Sequence, residues 1–140
     1  MIYSAHEKTP VEAVDDIKEF IIGKVVCDLG CGDGDFMLAL AQFASRVIGI
    51  ERDETLVAKA VKRGLQVKIG DITDIPTEAE VLFVFMSFYG TMKLTTHLKK
   101  IGWKGTLISH YYPLHELISM PWHPSKFVNN VCPLLIYELV

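Results

Sequence analysis

The sequence predicts an α/β chain of the Rossmann-like kind: a doubly wound, mostly parallel sheet with helices on both faces and an antiparallel last strand. Three observations predict it. Apolar runs of strand length alternate with helix-periodic segments along most of the 140 residues, and that alternation specifies parallel pairing through right-handed crossovers. Half of the residues are apolar and the mean hydropathy is +0.28, as expected for strands covered on both faces. A glycine-rich turn, with Gly30, Gly32 and Gly34 at alternate positions, directly follows the first apolar run, where a doubly wound sheet receives its ligand.

Each element has its own signal. Thr9-Pro10 is a cap followed by proline at the first helical position, and Val11, Val14, Ile17 and Ile21 are spaced for one helix face that Gly23 ends. "KVVCDL" is a buried strand, and "DGDFMLALAQFA" a helix that begins with acids, favourable near its positive end. "RVIGI" is the second strand, "DETLVAKAVKRG" a helix closed by Gly64, and "LQVKIGD" the third strand. "EVLFVFMS" predicts a fourth strand, "MKLTTHLKKIG" a helix and "GTLISHYY" a fifth strand. Pro113, Pro121, Pro124 and Pro133 break up the tail before "LLIYELV", a final strand with no helix ahead of it and therefore antiparallel to its neighbours.

A chain of this length fits one domain over residues 1–140, with little room for a separate substrate domain. Its net charge of -3 and pI near 5.9 give no general attraction to phosphate backbones, so nucleic acid is not an expected partner. The candidate basic groups, Lys59, Lys62, Arg63 and Lys68, then Lys93, Lys99, Lys100 and Lys104, fall on helices or their edges, where solvated charge is the usual reading. Cys27, Cys31 and Cys132 form neither a CxxC pair nor an even disulfide framework, which fits a reduced cytoplasmic interior. The first ten residues lack the apolar core of a signal peptide, and "VLFVFM" is too short to span a bilayer, so neither export nor membrane insertion is expected. His110, His115 and His123 lack metal-site spacing, and no metal is assigned.

The glycine turn has three candidate classes of ligand. A nucleoside triphosphate calls for GxxxxGK[ST], which does not occur. A dinucleotide calls for GxGxxG, but here the third glycine comes one residue early. The segment also carries Asp28, Asp33 and Asp35 with no base among them, and each unit charge held 4 Å from another of like sign costs about 1 kcal/mol even in bulk water. A cationic ligand remains. S-adenosylmethionine has a sulfonium, an ammonium and a nucleoside, and no phosphate. Glu51, closing the second strand, is placed to accept ribose hydroxyls. Asp71, closing the third, is placed to accept from an adenine amino group while the Ile72 amide donates to the ring.

"DLGCGDG" followed by "GIERD" and "GDITD" resembles the class I S-adenosylmethionine-dependent methyltransferases over nearly the whole chain. The resemblance implies that Asp28, Gly30, Gly32 and Gly34 hold the methionine end of the cofactor, with Cys31 in the same turn. It places Glu51 on the ribose with Arg52 beside it, Asp71 and Ile72 on the adenine, and Met86 in the wall of the cofactor site.

Thr9-Pro10, the short spacing to "DLGCGDG", and "GTLISH" from Gly105 to His110 also resemble the small archaeal protein lysine methyltransferases and their mitochondrial relatives. That likeness implies protein lysine amines as acceptors. A small-molecule methyltransferase, or a regulatory or scaffolding subunit that binds the cofactor without catalysis, are the alternatives. "MSFYGTM" and "SHYY" are expected to border the acceptor's opening, which makes Tyr89, Ser109, His110 and Tyr111 the substrate-lining candidates.

Overall fold

The structure, a computed structural model, describes residues 8–110, 126–128 and 132–140. Its strands are β1 (Val25–Leu29), β2 (Arg46–Glu51), β3 (Val67–Ile69), β4 (Val81–Val84), β5 (Gly105–His110), β6 (Lys126–Val128) and β7 (Leu134–Leu139). They form one sheet in the order β3-β2-β1-β4-β5-β7-β6. The first five run parallel, and β7 pairs antiparallel with both β5 and β6. The expected antiparallel last strand is therefore present, inserted between β5 and β6.

Sequence order reverses on either side of β1, whose neighbours are β2 and β4. The connections that leave the C-terminal ends of β1 and β4 diverge there and open a crevice.

Helices α1 (Val14–Ile21), α2 (Asp35–Leu40), α3 (Glu54–Lys62) and α4 (Phe88–Ile101) follow the predicted alternation. Ile17 and Ile21 of α1 and Phe36 and Leu40 of α2 pack with Val26, Phe83, Ile108 and Ile136 of the strands. Leu94 and Leu98 of α4 join the other cluster, with Cys27, Leu82, Leu107 and Tyr137. Successive strand residues point to opposite faces, so helices cover the sheet on both sides, as the apolar runs require.

Element boundaries differ from the expectation in ways that matter for the site. The fourth strand stops at Val84, because its partners β1 and β5 reach only Leu29 and Ser109 at that level. Ser87 then caps α4: its hydroxyl accepts from the Gly90 amide at 3.3 Å and its carbonyl from Thr91. "SFYGT" thus forms the start of a helix and not a loop. The first helix opens as a 3-10 turn over Val11–Ala13, and α2 ends at Leu40, short of Ala44. The third strand is confined to Val67–Ile69. Strand β6 was not expected from the sequence, and Tyr111 and Tyr112 lie outside the described residues.

Gly49, in the middle of β2, lets α2 and the glycine turn lie flat against the sheet. A Cβ there would meet Cys31 Sγ and Met37 Sδ, both at 2.6 Å. Gly49→Ala is expected to lower stability by about 1–3 kcal/mol through overpacking, measured as a lower urea midpoint. An unchanged midpoint would show that the turn has slack against β2.

Candidate functional site

The chain leaves β1 through Gly30 and Gly32, at φ 78° and 60°, left-handed values that glycine adopts without strain. The amides of Gly30 and Cys31 both donate to the Ile50 carbonyl, at 2.7 and 3.1 Å. Glu51 completes the attachment. Its Oε1 accepts from the Gly32 amide at 2.9 Å, and its Oε2 accepts from the Arg52 and Asp53 amides at 3.0 Å each. The carboxylate at the end of β2 therefore holds the turn that follows β1. Gly34 has a different task, since a Cβ there would run into Leu65.

Two cavities flank the turn and share Gly30, Glu51 and Phe85. One, of 430 Å³, is bordered by Arg52, Asp71, Ile72, Met86, Tyr89 and Lys93 among others. The other, of 390 Å³, is bordered by Lys8, Asp28, Cys31, Gly32, Phe36 and Phe83 among others. Both sizes suit a small-molecule site. Of the residues predicted to contact a cofactor, all but Gly34 border one cavity or both.

Asp28 is 4% exposed. Burial, and then the charge of Glu51, push its carboxyl up to about 7, with no hydrogen bond from the described residues to offset them. The turn as a whole is less anionic than the sequence suggests. Lys8 donates to Asp35 at 2.8 Å and to both oxygens of Asp33 at 3.1 Å, and Arg63 donates to Asp35 at 2.7 Å and to the Asp33 carbonyl at 3.0 Å. Lys8, then Arg63, hold the Asp35 carboxyl below the usual range. The expectation of three carboxylates without a base is corrected accordingly: two bases from distant segments neutralise Asp33 and Asp35, which leaves Asp28 and Glu51 as the acids behind the turn.

Asp71 is also engaged. Its Oδ1 accepts from the Thr73 amide at 2.8 Å and hydroxyl at 2.6 Å, and Lys93 reaches Oδ2 at 3.4 Å. These contacts, led by the Thr73 hydroxyl, lower its carboxyl to about 2.

The substrate-lining candidates divide. Tyr89 stands exposed on the rim of the larger cavity, whereas Ser109 and His110 are buried and border neither. His110 lies behind Phe85, with ring centroids 4.1 Å apart, and shares a 2.9 Å hydrogen bond through Nδ1 with Thr9 Oγ1. Burial lowers its pKa to about 4, which makes it a poor base. Tyr111 lies outside the described residues. No group of metal-binding side chains occurs among the described residues, and no described helix is long and apolar enough to cross a membrane.

A methyltransferase domain family matches residues 26–101, from β1 to the end of α4. The chain belongs to this family. An RNA methyltransferase from Salinibacter ruber, solved with S-adenosyl-L-homocysteine, superposes with a TM-score of 0.79 at 23% identity, covering 95% of this chain and 94% of that one. Magnesium protoporphyrin IX methyltransferase from Synechocystis, solved with S-adenosylmethionine, gives 0.64 at 16% identity, over 91% and 77% of the two chains. A 23S rRNA (uracil(1939)-C(5))-methyltransferase of Colwellia psychrerythraea is 52% identical over 40 residues. That match covers 29% of this chain and 8% of the Colwellia protein.

This methyltransferase domain has the class I fold, and S-adenosylmethionine is the cofactor of that class. The donor set fits it: a buried acid with no hydrogen bond from the described residues to offset its burial, beside a turn where a Cβ on Gly30 or Gly32 would project into open space.

The raised Asp28 pKa has a consequence for stability. With its folded pKa near 7, above the ordinary 3.8, Asp28 contributes stability that is fully present below about pH 4, falls as pH rises to about 7 and is lost above. Urea unfolding at pH 5 and pH 8 should show wild type losing roughly 2–3 kcal/mol more than Asp28→Asn across that interval. Parallel pH profiles for the two proteins would mean that Asp28 is ionised in the native state.

Proposed function

We propose that this methyltransferase moves the methyl group of S-adenosylmethionine to an amine, and that the amine belongs to protein lysine side chains. The observation that carries the cofactor part of the reading is the pair of cavities that flank the glycine turn, with Asp28 bordering one, Asp71 the other and Glu51 both.

The cofactor, when bound, supplies an electrophilic methyl group on a sulfonium. Asp28 would bind the ammonium of its amino acid end. That pairing favours the ionised carboxylate and recovers part of the cost of burying it. Glu51 has about one of four acceptor sites left for a ribose hydroxyl after serving three amides, one fewer than the sequence reading assigned it. Asp71 and Ile72, with Met86, border the cavity for the base. Phe85 stands where the two cavities meet, and with Phe36 and Phe83 it gives the methionine side an apolar wall that limits water.

Two further features support a lysine acceptor. An apolar surround disfavours a charged amine, so a lysine brought against Phe85 and Met86 is shifted toward its neutral, nucleophilic form. The net charge of -3 attracts a cationic polypeptide and repels a polyanion. RNA is the second reading, favoured by the full-length likeness to the Salinibacter RNA methyltransferase.

Incubation with methyl-labelled cofactor and a mixed lysate separates these readings. Label that protease releases and nuclease does not is the expected result. Nuclease-sensitive label would transfer the assignment to RNA, and binding of the cofactor without any transfer would point to a subunit that needs a catalytic partner.

Glu51→Ala should weaken S-adenosylhomocysteine at least about tenfold. It should also lower the urea midpoint, because three amides lose their acceptor. Calorimetry with unchanged affinity would remove Glu51 from the cofactor site.

A further inference from the structure

The amino acid end of the cofactor carries a carboxylate as well as an ammonium, and Asp28 answers only the second. Both charges must be met if the end is to leave water. The cavity that holds Asp28 is bordered by a single base among the described residues, Lys8. Its ammonium is fixed in place from both sides. Asp33 and Asp35 hold Nζ at 3.1 and 2.8 Å, and the neighbouring Thr9 anchors the segment through its 2.9 Å bond to His110. Arg63 shares the same two acids, so two bases balance two carboxylates and Lys8 is not outweighed by negative charge. The contacts to Asp35, then Asp33, also raise the pKa of Lys8, which keeps it protonated. Lys8 Nζ lies at 3.1 Å from both Asp33 oxygens, which one shared N–H serves, and a second N–H goes to Asp35. Of the three donors of an ammonium one is left, on a side chain that remains 59% exposed.

Building on the cofactor reading above, we propose that Lys8 binds the carboxylate of the cofactor's amino acid end while Asp28 binds its ammonium. The cavity then recognises the zwitterion as a whole. The acids at Asp33 and Asp35 serve to position Lys8 and do not themselves touch the cofactor.

Three probes isolate the carboxylate: S-adenosylhomocysteine, its decarboxylated thiopropylamine analogue, and 5′-methylthioadenosine, which lacks the amino acid end. Calorimetry on wild type should rank S-adenosylhomocysteine tightest. Lys8→Met should weaken S-adenosylhomocysteine about tenfold, the loss of one charge-assisted hydrogen bond, and leave the other two within about twofold. Lys8→Arg should keep the preference for the carboxylated probe. Equal weakening of all three by Lys8→Met would make Lys8 a brace for the glycine turn and overturn the proposal, as would no change in any. Failure of wild type to bind all three probes would overturn the cofactor reading itself. A wild-type protein that binds the carboxylated and decarboxylated probes equally would overturn only the role of Lys8.

Discussion

The site depends on one carboxylate accepting from three backbone amides. Glu51 ends β2, yet it holds the Gly32 amide of the turn after β1 as well as the Arg52 and Asp53 amides at the start of the next connection. Amide donors in a left-handed turn have no partner within their own segment, and a buried amide without an acceptor costs about 1–3 kcal/mol. Glu51 removes that cost and fixes the spacing between β1 and β2 at the level where a ligand would rest. The Ile50 carbonyl, accepting from Gly30 and Cys31, does the same one residue earlier. The surface offered to a ligand is therefore set before the ligand arrives, the condition under which binding costs least in ordering.

The same carboxylate creates the asymmetry on which the proposed preference for a cation rests. Asp28 lies close enough to Glu51 for that charge to add to burial in raising its pKa. A cation entering beside Asp28 relieves both effects, whereas an anion would worsen them. The outer acids differ. Asp33 and Asp35 are shared between Lys8 and Arg63 and contribute a neutral cluster. The proposed selectivity for a cation thus rests on the two buried acids and not on the charge count of the turn.

Much of this was legible in the sequence because it is local. Short apolar runs such as "KVVCDL" and "RVIGI", bounded by turn residues and alternating with helix-periodic segments, read as buried strands, and the alternate glycines after the first of them suit a turn open to a ligand. Asp28, Glu51 and Asp71 were readable because each sits at or just beyond a strand end, where the sheet gathers them. What was not legible came from far along the chain. Lys8 meets Asp33 across 25 positions, and Arg63 meets Asp35 across 28. Nothing in the local pattern marks either base as different from a solvated one. The start of α4 was hidden because "VLFVFMS" reads as one apolar run, and only the ends of β1 and β5 decide where β4 must stop. Ser109 and His110 misled for a related reason: they do end a central strand, but Phe85 stands between His110 and the cavities.

The most direct measurement is a crystal structure of the protein grown with S-adenosylhomocysteine. The expected map places the ligand along both cavities, its amino group within hydrogen-bonding distance of Asp28, a ribose hydroxyl on Glu51 and the base beside Asp71 and Ile72. A map with those cavities empty at saturating ligand, or filled instead by NADH or ATP supplied in competition, would contradict the assignment of the glycine turn.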